Sequence, residues 1–178
     1  MWIGIVAVVV VIALWYIGIS NSFKSLEVKI EEALSGIDVA LTKRFDVLTK
    51  MWDLAKKYMK HEEGTLTKVI EMRQKNNGTI KDTQALSDEM TKLQAGLNVV
   101  VEQYPDLKAN QTIQEVQRAS LNVEEHLQAA RRLYNSNVSM FNQKVVMFPS
   151  SVVAGMIKAI KKDFFEAEVS KRADVKFD

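Results

Sequence analysis

Residues 2–19 read WIGIVAVVVVIALWYIGI, apolar on every side of any regular helix and interrupted only by Gly4 and Gly18. At 1.5 Å per residue this stretch makes a helix of about 27 Å, close to the hydrocarbon thickness of a bilayer. Val and Ile are weak helix formers in water, but lipid obliges every backbone N–H and C=O to pair within the segment. Trp2 near one end and Trp15 with Tyr16 near the other suit the two interfacial aromatic belts, so these three are the expected anchoring aromatics. A cleaved signal peptide is the competing reading, with Gly18-Ile19-Ser20 as a faint cleavage site. It lacks a basic n-region, and the apolar run is longer than a usual h-region. The pattern predicts a retained transmembrane anchor over residues 1–20.

From Phe23 the pattern becomes periodic. Phe23, Leu26, Ile30, Ala33, Ile37, Leu41, Phe45, Leu48, Trp52, Ala55 and Met59 step by three and four, the spacing of one helical stripe with charged residues on the rest. Only Gly36 interrupts residues 19–63, so the anchor is expected to run straight into this helix. The first plausible break is His61-Glu62-Glu63-Gly64, with Gly64 ending one helix and Thr65 capping the next. Leu66, Val69, Ile70 and Arg73 begin a second stretch, and Asn76-Asn77-Gly78 signals a turn. The stripe resumes as Leu86, Met90, Leu93, Leu97, Val100 and Tyr104, and Pro105 should end that helix. Thr112-x-x-Glu115 reads as a capping box opening a helix striped by Ile113, Val116, Val123, Leu127, Ala130, Tyr134, Val138, Phe141, Val145 and Phe148. Pro149 terminates it, and Ser150 or Ser151 caps a short final helix bearing Val152, Val153, Met156, Ile157 and Ile160.

Strand-like alternation is absent, so the expected fold class is all-α: a transmembrane helix followed by an elongated antiparallel bundle of long helices. All 24 Lys and Arg and all 22 Asp and Glu lie beyond residue 20, which sharpens the contrast between an apolar peg and a charged body. A net charge of +2 argues against a nucleic-acid partner. With no Cys there is no disulfide, thiolate metal site or thiol nucleophile. Lys24 and Lys29, then Lys43 and Arg44, follow the apolar run and no basic residue precedes it, so the positive-inside rule places the body in the cytoplasm.

The order of features resembles the LemA family. The matching stretches are Ile37-Asp38-Val39 with Leu41 and Lys43-Arg44, His61-Glu62 with Thr65-Leu66, and Tyr104-Pro105-Asp106-Leu107-Lys108-Ala109-Asn110. They continue through Ala130-Arg131-Arg132 with Tyr134-Asn135, Phe141-Asn142, Phe148-Pro149 and Phe164-Phe165-Glu166. Leu34 stands where the family typically has Trp, and Thr49-Lys50 where Ile-Pro is usual. The resemblance implies a single-pass inner- or plasma-membrane protein with a short outside N-terminus, and it implies no reaction. With it, the chain divides into an anchor (1–20), a cytoplasmic bundle (21–168) and a tail (169–178).

Catalytic equipment is not evident. His61-Glu62-Glu63-Gly64-Thr65 begins like H-E-x-x-H, but Thr65 occupies the second histidine position that zinc needs. His126 has Val123 where a di-iron Glu-x-x-His would need Glu. There is no glycine-rich phosphate loop, so no catalytic residue, cofactor or metal is expected. Tyr104, Pro105, Asp106, Leu107, Lys108 and Asn110 form the most distinctive non-helical stretch, a structural corner first and a candidate partner loop second. Asp38, Arg44, Arg131 and Arg132 border the apolar stripes and are expected to fix helix register through ion pairs or hydrogen bonds. Residues 150–162 combine an apolar face with Lys158, Lys161 and Lys162, candidates for contact with anionic lipid.

Two functions follow. The leading one is a membrane-anchored scaffold or adaptor presenting its bundle to membrane proteins or to copies of itself, with the lipid bilayer as its constant partner. The alternative is a membrane-surface binding or remodelling protein acting through the basic helix of residues 150–162.

Overall fold

The computed structural model describes residues 2–58 and 63–166. Six helices follow in order: α1 (Trp2–Ala55), α2 (Glu63–Lys75), α3 (Ile80–Gln103), α4 (Pro105–Lys108), α5 (Gln111–Val146) and α6 (Ser150–Met156), with no strand among the described residues. The expected continuity of the apolar run with the helix that follows it is present, since α1 runs through 54 residues. The backbone groups into two compact units. One comprises the described residues of Met1–Leu34 and Arg132–Phe164, the other those of Ser35–Arg131 and Phe165–Asp178.

In the first unit α1 buries Phe23, Leu26, Ile30 and Ala33 at three- and four-residue steps, and α5 answers with Tyr134, Val138 and Phe141. The Phe23 and Phe141 rings meet edge to face at 5.5 Å, and Asn137 Nδ2 donates to the Lys29 carbonyl at 3.0 Å. These pairs make the two helices antiparallel. α6 contributes Val153 and Ala154.

In the second unit the chain runs up, down, up and down through α1, α2, α3 and α5. Arg73 of α2 lies over the Phe45 ring of α1, 4.4 Å from its centre, and Lys68 of α2 pairs with Glu89 of α3 at 3.1 Å. Gln94 of α3 donates to Ser120 of α5 at 3.0 Å. Ile37, Leu41, Leu48, Met51, Leu86, Met90, Leu93, Leu97, Ile113 and Leu127 fill the core between them.

Several boundaries differ from the pattern-based expectation. α1 ends at Ala55, one step before the Met59 that the stripe predicts, and the Tyr58 amide closes the turn on the Ala55 carbonyl. Gly64 and Thr65 lie inside the first turn of α2 rather than between helices, and Met59, His61 and Glu62 lie outside the described residues. Val101, not Val100, is the buried member of α3, because a 3.6-residue helix drifts away from a strict 4-3 repeat. Pro105 opens the single turn α4, so the stretch read as non-helical is one helical turn between two corners. Thr112 does not cap α5. Asn110 does, its Oδ1 accepting from the Thr112 and Ile113 amides at 2.9 and 3.4 Å. Ser150 and Ser151 do not cap α6, whose N-cap is Pro149. The Ser150 hydroxyl instead donates back to the Lys144 and Met147 carbonyls, both at 2.8 Å.

The Asn76-Asn77-Gly78 turn matches expectation. Asn76 Oδ1 accepts from the Gly78 amide at 2.9 Å, and Gly78 takes φ +71°, a region that a Cβ disfavours.

Because Asn110 rather than Thr112 satisfies the first α5 amides, Asn110→Ala is expected to lower stability by about 1 kcal/mol, and Thr112→Ala to leave it almost unchanged. Urea denaturation of the detergent-solubilised chain measures both; equal losses would refute the cap assignment.

Candidate functional site

The described N-terminal helix is long and apolar enough to cross a membrane, and none of its apolar window is buried. Trp2 is 81% exposed, Ile3 through Leu14 present apolar side chains all round, and nothing among the described residues buries them. Trp15 is exposed and Tyr16 half-covered, at the end of the segment nearest the body. Covering by the chain begins in earnest at Phe23.

Beyond the anchor, the second unit holds a buried polar layer. Arg44, only 4% exposed, projects from α1 into the space among α3 and α5. Its Nη2 donates to Gln94 Oε1 at 2.9 Å and to Thr91 Oγ1 at 3.0 Å, and its Nε reaches Gln94 Oε1 at 3.3 Å. Glu124 of α5 supplies a carboxylate 3.5 Å away. Gln94 passes the connection to Ser120. Arg131 of α5 donates to the buried Ser87 hydroxyl and stacks over the Phe165 ring, 4.8 Å from its centre. Three helices are thereby linked by donors whose geometry suits one register. Of the four residues expected at the stripe borders, Arg44 and Arg131 do this, whereas Asp38 and Arg132 are exposed.

Asp38 lines a recess of about 280 Å³ with Arg73, Asn76 and Gly78, at the turn joining α2 and α3. This recess was not legible in the sequence, since its members come from segments more than thirty residues apart. Nearby on α3, Glu89 is largely buried. Burial alone would raise its pKa, but hydrogen bonds and charges from Lys68 and Lys92, at 3.1 and 3.2 Å, outweigh that and hold it below the usual 4.5.

The candidate partner loop is divided. Leu107 is buried and holds the corner, and Asn110 is occupied as the α5 cap. Tyr104 is extended and packs its ring 4.9 Å from that of Tyr58, leaving Pro105, Asp106 and Lys108 on the surface.

The basic amphipathic helix expected over residues 150–162 does not form. α6 stops at Met156, and Lys158 takes φ +54° in a Schellman turn, its amide bonding to the Gly155 carbonyl and that of Ala159 to the Ala154 carbonyl. Lys158, Lys161 and Lys162 therefore share no helical face. The following segment is pinned by α5: Asn142 receives the Lys162 amide at 2.8 Å and donates to its carbonyl at 2.9 Å. The Tyr134 hydroxyl donates to the Asp163 carbonyl at 3.1 Å. Burial, reinforced by the Asp163 charge, raises the Tyr134 pKa and keeps that donor protonated. Asn142 was read in sequence only as part of a resemblance. Its partner lies twenty residues away, and no local periodicity announces such a clamp.

A model of the LemA family matches residues 33–178. The chain belongs to the LemA family. It is also 30% identical over 163 residues to Protein LemA of Metamycoplasma hominis, a match spanning 90% of this chain and 74% of that protein. The LemA match takes in the polar layer, the Tyr104–Asn110 corner and the Asn142 clamp, and begins beyond the apolar run of residues 2–19.

Arg44→Ala is expected to lower stability by about 3 kcal/mol by stranding Gln94 and Glu124 in the bundle, with Arg44→Lys recovering only part because one ammonium cannot make the same fork. Denaturant titration decides this, and a loss no larger than that of an exposed-site variant would refute the layer's role. At Glu89 the depressed pKa makes the Lys68–Glu89–Lys92 contribution present above the ordinary carboxylate pKa and lost as pH falls through the folded-state value. Glu89→Gln should therefore cost about 0.5–1 kcal/mol at neutral pH, with the gap to the native chain closing in acid; a gap independent of pH would refute the assignment.

Proposed function

We propose that this LemA-family chain is a single-pass membrane-anchored scaffold or adaptor, held in an inner or plasma membrane with its N-terminus outside and its bundle in the cytoplasm. The observation that carries the reading is the change of character within α1. Its first turns expose apolar side chains in every direction, whereas from Phe23 onward most apolar positions form a covered stripe, with Val28 and Val39 outside it. Lipid is the solvent that suits the first pattern and water the second. Lys24 and Lys29, the first cations after the apolar run, support a cytoplasmic body. Tethering raises the effective concentration of the bundle toward membrane proteins or further copies of the chain, so the protein works by placement rather than by catalysis.

The chain should stay with membranes through an alkaline wash, and a fluorescent-protein fusion after Asp178 should fluoresce while a phosphatase fusion there stays inactive. Recovery in the soluble fraction would overturn the anchor, and the reverse fusion pattern would overturn the orientation. Proximity labelling should enrich membrane proteins or the chain itself, and lose that enrichment when residues 1–20 are deleted; an unchanged set would overturn the adaptor role.

A further inference from the structure

The first unit leaves one apolar cluster uncovered. α5 runs antiparallel to α1 and approaches the anchor as its residue numbers rise, as the Lys29–Asn137 and Phe23–Phe141 contacts require. α5 ends at Val146, five residues beyond Phe141 and about 7.5 Å along the axis, which brings its end level with Gly18, an equal distance before Phe23. Tyr16, Ile19 and Ser20 are half-covered while Ile12, Leu14 and Ile17 are exposed, consistent with the chain's return beside the anchor at this level. A groove of about 390 Å³ between Ser22 and Ser25 of α1 and Met140, Met147 and Phe148 opens here.

At this level the chain shows water what it elsewhere buries. Phe148, assigned by its spacing to the α5 stripe, is 83% exposed because α5 ends at Val146 and the chain turns through Met147–Pro149. Val146 and Met147 are exposed beside it. α6 buries Val153 and Ala154 but leaves Val152 and Met156 uncovered, the latter 66% exposed, and Ile160 follows at 79%. Between residues 126 and 162 there is no carboxylate, while Lys144, Lys158, Lys161 and Lys162 are interspersed. Apolar side chains continuous with a membrane-spanning helix, set among cations and free of acids, match the chemistry of an anionic leaflet surface.

We propose that the α5–α6 turn, with the uncovered side chains of α6 and Ile160, is a second membrane-contact element that dips into the headgroup–acyl boundary of the leaflet through which the anchor leaves. The inference rests on the anchoring reading above. It differs from a basic amphipathic helix in that the apolar turn inserts and the lysines remain at the headgroups. Two contacts with one leaflet fix the tilt and rotation of the first unit against the bilayer, which a lone anchor leaves free.

The native chain has no cysteine, so single substitutions Phe148→Cys, Val10→Cys and Ser136→Cys in the full chain can each carry an environment-sensitive fluorophore. All three positions are exposed, and circular dichroism checks that each variant keeps its helix content. Each is reconstituted into phosphatidylcholine–phosphatidylglycerol vesicles containing lipids spin-labelled near the headgroup or deep in the acyl chain. The label at residue 148 should emit blue-shifted light and lose most of its intensity to the shallow quencher. The label at residue 10 should be quenched by the deep one, and that at residue 136, about 15 Å back from the end of α5, by neither. Quenching at residue 10 with residue 148 behaving like residue 136 would overturn the inference while leaving the anchor intact. Absence of quenching at residue 10 would overturn the anchoring reading, and this inference with it.

Discussion

A single hydrogen-bonded helix carries two kinds of surface in this chain, apolar all round at one end and striped at the other, and the rest of the described structure packs on the striped part. Backbone pairing inside α1 is the same in its first turns as in its last, but what surrounds it changes at about Phe23. Before that point the side chains are apolar all round, so only an apolar medium spares them the cost of hydration. After it, charged residues occupy three sides, and the apolar stripe is narrow enough to be covered by neighbouring helices. No break is needed at the transition, because the helix leaves no unsatisfied backbone groups there for either solvent to pair.

A narrow apolar stripe at 3-4 spacing holds helices together without determining which turn meets which. Sliding one helix by a turn exchanges one Leu or Met for another at small cost. Arg44 and Arg131 remove that freedom in the second unit. Each is buried, and it donates to Gln94 and Thr91 and faces Glu124 in one case and donates to Ser87 in the other. A one-turn slip would leave a buried guanidinium without these acceptors, a far larger penalty than any repacking of Leu on Leu. The layer contributes specificity of register, and the apolar stripe contributes most of the cohesion.

How much could be read in advance follows from the range of the interactions concerned. The long apolar helical run of residues 2–19, the long stripes of α1, α3 and α5, and the Asn76–Gly78 turn depend on composition, periodicity or a few neighbouring residues, and they were legible. Arg44 and Arg131 were legible as stripe-border cations, though not their partners. Misreadings arose where two local solutions compete within two or three residues. Asn110 and Thr112 are both good caps, and the structure uses the earlier one because its carboxamide reaches two amides. Val100 and Val101 are both apolar, and helical drift decides between them. The apolar and basic composition of residues 150–162 satisfied a helical pattern, yet the polar clamp from Asn142 to Lys162 holds a non-helical segment there. Such a long-range contact overrides a weak local preference and leaves no periodic trace.

The clamp also explains why the lysines lose their common face without leaving the same neighbourhood. With α6 only seven residues long, its cohesion comes from Val153 and Ala154 and from the Schellman turn at Lys158, not from length. The segment after it is then free of helical constraint and is fixed instead by backbone groups, the Lys162 amide and carbonyl and the Asp163 carbonyl. Side chains held through their backbone can point where the surroundings favour them. The Lys162 ammonium accordingly lies 5.4 Å from the centre of the Phe141 ring, while Lys158 and Lys161 face outward. A charged helix face would have presented three cations in one line. The arrangement found spreads them around exposed apolar side chains, the distribution expected when the apolar groups contact the bilayer and the cations meet its headgroups.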